Sequence, residues 1–176
     1  MTLIRPKPFL GVLLHGSVHD IHEVFQYQIP QKHKHKYRQY LLQKHNGLPL
    51  IHIAILRRQL SLQFFQTGLW TLLPELLHEV DDQGDSALHL CLYLGRWELF
   101  EWLLWQRMNP HGMNHKGLSI QTLVQLKPQE LQIILQAAQA RYDQAQALKE
   151  LWGKQPQLLA PLPTILWYHL ILNYIF

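Results

Sequence analysis

The chain has 176 residues, 48% apolar and only 16% charged, which suits one domain with a sizeable core and excludes a disordered chain. The net charge of +4 is uneven: residues 1–60 carry nine Lys/Arg against Asp20 and Glu23, and residues 61–176 carry seven against ten Asp/Glu. That imbalance argues against a uniformly basic coat for nucleic acid, and the single cysteine, Cys91, excludes an internal disulfide framework and fits a reducing, cytoplasmic setting.

Near the start, Arg5 and Lys7 precede Phe9–Leu14, an apolar run of six with no small-x-small cleavage site after it. It reads as an amphipathic first helix rather than a signal sequence. The run Lys32–Arg38 alternates cations with His33 and His35 and reads as a solvated loop insertion, with contact to phosphates or an acidic surface as its functional alternative. Neither His33/His35 nor His111/His115 is expected to hold a metal, because no cysteine or carboxylate cluster completes either site. The acidic turn Asp81–Asp85 fails as a calcium loop, since Leu92 or Tyr93 stands where a bidentate Glu is required.

Ser86 has no separate base, oxyanion donor or nucleophile elbow beside it, and the chain has no glycine-rich phosphate loop. No enzyme activity and no cofactor are expected. Further on, Pro128 opens a helix running through Leu131, Leu135, Ala138, Tyr142 and Leu148 to Gly153. Residues 155–163 form a proline-rich bend, and Thr164 can N-cap a last helix. Leu158–Phe176 contains no charge, but Pro161 and Pro163 leave too short a run to cross a bilayer, so a buried terminal helix is expected.

Internal repetition is the dominant signal. Asn46-Gly47-Leu48-Pro49-Leu50-Ile51-His52-Ile53-Ala54 parallels Gln83-Gly84-Asp85-Ser86-Ala87-Leu88-His89-Leu90-Cys91, and Lys116–Val124 is a weaker third copy. The three glycines lie 37 and 33 residues apart. Gly95 then separates one helix from a second, Trp97–Trp105, whose apolar residues cover most of its surface and demand neighbours on more than one side. Period and pattern resemble the ankyrin repeat, with its T-P-L-H-x-A signature.

The resemblance implies an all-α solenoid of stacked helix-turn-helix units with a helical C-terminal extension. Residues 1–45 become a capping repeat with the basic loop, 46–140 the repeats, and 141–176 the extension. His52 and His89 become polar ties between a first helix and adjacent loops, and Cys91 a small, inert packing residue. Arg58 replaces the glycine between helices, and the longer spacing implies four residues inserted near Thr67–Pro74. Trp97 and Trp102 match core positions, whereas Trp70, Trp105, Trp152 and Trp167 fall outside the repeat core, covered by the extension or by a partner.

By the same resemblance, the function is non-catalytic: a monomer that binds, inhibits or scaffolds another protein on a concave face. The family's variable positions fall on Asn46, Leu48, Leu50, Ile55, Leu56 and Gln59, on Gln83, Asp85, Ala87, Leu92, Tyr93 and Arg96, and on Lys116, Leu118 and Ile120. Tyr93 and Arg96 are the preferred anchors, because Tyr and Arg are enriched in interface hot spots, and Arg58 is a further candidate. The alternative is a peripheral membrane adaptor that uses Leu158–Phe176 and the basic loop.

Overall fold

A computed structural model describes residues 7–27, 38, 41–67, 70 and 73–154. The chain there is mostly helical, with eight α-helices and no strand among the described residues. They are α1 (Lys7–His15), α2 (Val18–Tyr27), α3 (Leu50–Leu56), α4 (Leu62–Phe65), α5 (Ala87–Leu94), α6 (Trp97–Trp105), α7 (Ile120–Gln125) and α8 (Gln129–Lys154). A 3-10 helix, Pro74–His78, lies between α4 and α5.

Helices α1, α3, α5 and α7 pack side by side in that order, and α6 lies between α4 and α8 in a second row. Composition dictates this arrangement. In α3, Leu-Ile-His-Ile-Ala-Ile-Leu, every residue but Leu56 is buried. A helix apolar all round is stable only when neighbours surround it. The core continues through Phe64, Phe65 and Trp70, then Leu88, Cys91 and Leu92, then Phe100 and Leu103, to Leu131 and Leu135 of α8. Trp70 is 1% exposed and stacks on Phe65 at 5.9 Å, so its own unit's aromatics cover it. Trp97 and Trp102 are half-buried at the edge of the core rather than inside it.

Each of α3, α5 and α7 begins three residues after a glycine with positive φ: Gly47, Gly84 and Gly117. The tip before α5 and the tip before α7 share one hydrogen-bond frame, displaced by 33 residues. Asp81 donates its N–H to Asp85 O at 3.0 Å, while its Oδ1 accepts from the N–H groups of Gln83 and Asp85. Asn114 repeats this, donating to Leu118 O at 3.0 Å and accepting from Lys116 and Leu118. An Asx side chain mimics the backbone of a turn in just this way. The first tip has Lys44 at the corresponding place and closes differently. Asn46 and Gly47 both have positive φ between the paired residues His45 and Leu48, a two-residue hairpin turn. Successive tips are joined, because Asp82 donates to Gly47 O at 3.2 Å and His115 to Gln83 O at 2.9 Å.

The 37-residue spacing does not arise from one insertion near Thr67–Pro74. The corner between α3 and α4 is five residues, Arg57–Ser61, against the two residues Gly95–Arg96 between α5 and α6. But α3 is one residue shorter than α5, so two of the four extra residues precede α4 and two follow its start. Two arginines exploit these corners. Arg57 donates to Leu14 O at 2.7 Å and to Gly16 O at 2.6 Å, at the end of α1. Arg96 donates to Ile55 O at 2.9 Å, at the end of α3, and to Leu60 O in the corner that follows, with its guanidinium over the Phe65 ring. Each cation satisfies carbonyls that a helix C-terminus leaves open.

Beyond this region α8 runs 26 residues unbroken, but none of its residues from 139 to 151 is buried. Two surface clamps hold its middle: Arg141 lies 3.6 Å above the ring of Trp105, and Asp143 pairs with His111 at 2.8 Å. The terminal segment Leu158–Phe176, the metal-pair candidates His33 and His35, and Trp167 lie outside the described residues.

Arg96→Met is expected to lower unfolding free energy by about 2–3 kcal/mol, because it strips two carbonyls of a charged donor. Arg96→Lys should recover less than half, since an ammonium lacks the planar fork. Urea titration with unchanged m-value checks both.

His52 generates a second prediction. Its ring is 1% exposed and neither nitrogen has a hydrogen-bond partner. Burial pulls its pKa down from 6.5 to about 4, against the carboxylates of Asp81 and Asp85, which pull it up. The unfolded chain therefore binds a proton that the folded chain refuses. Stability is whole above pH 6.5 and falls as pH drops toward 4, by on the order of 3 kcal/mol in all. His52→Leu should flatten that window. Parallel pH profiles for both proteins would refute this account if they superimpose.

Candidate binding face

Three exposed apolar residues occupy one structural position. Leu56, Tyr93 and Leu126 each lie nine residues after a tip glycine, at the ends of α3, α5 and α7. They are 46%, 45% and 84% exposed; α3 and α5 are otherwise largely buried, and α7, which Leu126 caps, buries Ile120 and Val124. Because α3 contacts α5 and α5 contacts α7, the three form a row across the first helices.

The row is continuous with the tips. A helical side chain leans toward the N-terminus of its own helix, and the Tyr93 hydroxyl reaches back to donate to Asp85 Oδ1 at 3.2 Å. Asn114, from the next tip, donates to the same oxygen at 2.8 Å. Burial, and then the neighbouring Asp85 carboxylate, hold the Tyr93 phenol above its usual pKa, so it stays a neutral hydrogen-bonding group. Lys44 pairs with Asp82 at 3.0 Å between the first two tips. His89 ties the face to the body: its Nδ1 accepts from Ser86, and its Nε2 donates to Leu118 O at 3.1 Å.

The residues nominated from sequence divide into three groups. Leu56, Arg58, Gln59, Tyr93, Lys116 and Leu118 are exposed, and Leu48 and Asp85 half-buried; these lie at the tips, the helix ends and the first corner. Leu50, Ile55, Ala87, Leu92 and Ile120 are buried in the core and line no surface. Arg96 differs again. Its guanidinium is committed to the carbonyls of Ile55 and Leu60, so it acts first as a tie between units. His52, expected as such a tie, is buried and makes no hydrogen bond of the kind His89 makes.

Four contributors were not singled out. Leu126 was hidden by the weakness of the third copy, although counting nine from Gly117 finds it. Asp81 and Asn114 were readable as Asx three before a turn glycine. Arg57 was passed over for its neighbour Arg58, and only the fold distinguishes which of two adjacent arginines turns inward.

Chemically the face offers apolar contact, a phenol, a shared carboxylate and scattered cations. Cys91 is wholly buried, and burial pushes its thiol up to about 12. Among the described residues no group of three His, Cys, Asp or Glu could hold a metal, and no helix is long and apolar enough to cross a membrane. Of the basic run only Arg38 is described, and it pairs with Glu75 at 2.7 Å. No protein-family model, curated protein or solved structure significantly matches the chain.

Proposed function

We propose that the chain is a non-catalytic, ankyrin-type binding module that engages another protein through the face formed by its tips and first-helix ends. The observation that carries this reading is the recurrence at Asp81 and Asn114 of one turn frame, 33 residues apart, followed each time by an exposed apolar side chain. Repeating units that hold their helices rigidly and leave the same position open on each are how stacked-repeat proteins build extended binding surfaces. The inertness of Cys91 and the absorption of the Ser86 hydroxyl into a capping interaction with His89 also favour binding over chemistry.

Tyr93 is the anchor of choice. It is aromatic, central in the row and preorganised by Asp85. A pull-down from the native host should lose its captured protein by tenfold or more on Tyr93→Ala, a cost of about 1.4 kcal/mol or greater, with the helical circular dichroism unchanged. Retained capture with Tyr93→Ala and also with Leu118→Asp would place the partner on another face. Arg96→Ala is an unsuitable probe, because it would weaken the fold together with the face.

A further inference from the structure

We propose that the row Leu56, Tyr93, Leu126 receives an acidic amphipathic helix whose apolar residues recur at every seventh position. The inference rests on the binding-face reading above and names the kind of partner. Packed helices sit about 8–10 Å apart, so equivalent residues on α3, α5 and α7 are spaced by that distance. Seven residues of an α-helix advance about 10.5 Å and return to nearly the same face. A helix laid across the row therefore meets all three residues with one seam. A β-strand does not, because its alternating side chains turn every third residue to the opposite face.

The width of the face fits as well. Eight residues of α5 separate the tip from the corner, about 12 Å, close to the 10–12 Å diameter of a helix with its side chains. Tyr93 lies along that width, its hydroxyl meeting the Asp85 side chain that extends from the tip.

Charge decides the sign of the partner. The corners that follow α3, α5 and α7 carry Arg57, Arg58, Arg96 and Lys127, against Glu98 and Glu130 in the first turns of α6 and α8. The tip side instead carries Asp81, Asp82 and Asp85 with Lys44 and Lys116, so acidic residues of a partner belong on the corner flank alone. Arg57 and Arg96 bond neutral carbonyls, so no carboxylate cancels their charge there. Lys127 lies over the ring of Trp97 at 5.3 Å, and Arg58 is exposed. A cationic rail thus runs along the corner side of the apolar row, and acidic residues on one flank of the incoming helix complement it.

The test is a displayed library of helical peptides with Leu fixed at every seventh position and the flanks randomised, selected against the full chain. Enriched peptides should carry Asp and Glu on one flank and lose affinity at least about tenfold against Leu126→Asp and against Arg58→Glu. Leu126 and Arg58 are exposed, so both variants should keep the wild-type circular dichroism. Failure to enrich, enrichment of neutral or basic flanks, or binding indifferent to both variants would overturn the proposal. A parallel library of extended, proline-rich peptides separates the two readings. Enrichment there that is sensitive to Tyr93→Ala sinks the acidic helix and leaves the binding face standing.

Discussion

Short helices cannot satisfy their own ends. A helix leaves four N–H groups open at its start and four carbonyls at its finish, yet α3, α5 and α7 have only seven, eight and six residues. Most of their polar backbone therefore needs partners from outside. The next unit supplies many of them. Arg57 and Arg96 close the ends of the preceding first helices, His89 engages the carbonyl of Leu118, and each tip donates a backbone N–H to the tip before it. Packing of apolar faces brings the units together; this exchange of caps sets their register.

The same constraint explains why the row Leu56, Tyr93, Leu126 is exposed. Ala54, Cys91 and Val124 are buried, and Arg57, His89 and Arg96 are tied to neighbouring units. The position nine residues after each tip glycine follows the last buried residue of its helix and stays exposed, with only the Tyr93 hydroxyl reaching back to Asp85 and Asn114 at the tips.

Much of this was legible in the sequence, and the reason is that the repeat signals are local. Turn glycines, small residues at fixed offsets and the cap at Ser86 act within a few residues, and counting from them locates α3, α5, α7 and the long α8. What escaped is set between units. Ile55 and Leu92 look like surface positions by offset alone, yet their burial depends on how closely the adjacent helix approaches. Arg96 has the composition of a hot spot, and only the position of the Ile55 and Leu60 carbonyls makes it a tie. The first tip also diverges, because Lys44 replaces the Asx and Asn46–Gly47 closes in two residues what Asp81 and Asn114 close with a side chain.

These differences make the junctions unequal. At the second tip Ser86 and His89 cap α5 reciprocally, and at the third Ser119 accepts the Thr122 N–H at 3.0 Å. At the first, Pro49 occupies the place of the serine, and the His52 ring beside it is buried with no hydrogen bond; Asp81 stands 3.9 Å away, beyond hydrogen-bonding distance. An unsatisfied buried group costs roughly 1–3 kcal/mol, and it falls where α3 meets the second tip. A junction with an unsatisfied buried group is where local opening is expected to begin. From α5 onward the first helices are capped by Ser86 and Ser119 and the stretch packs against α8, and it carries Tyr93 and Leu126. Leu56 lies on α3, whose start has no side-chain cap.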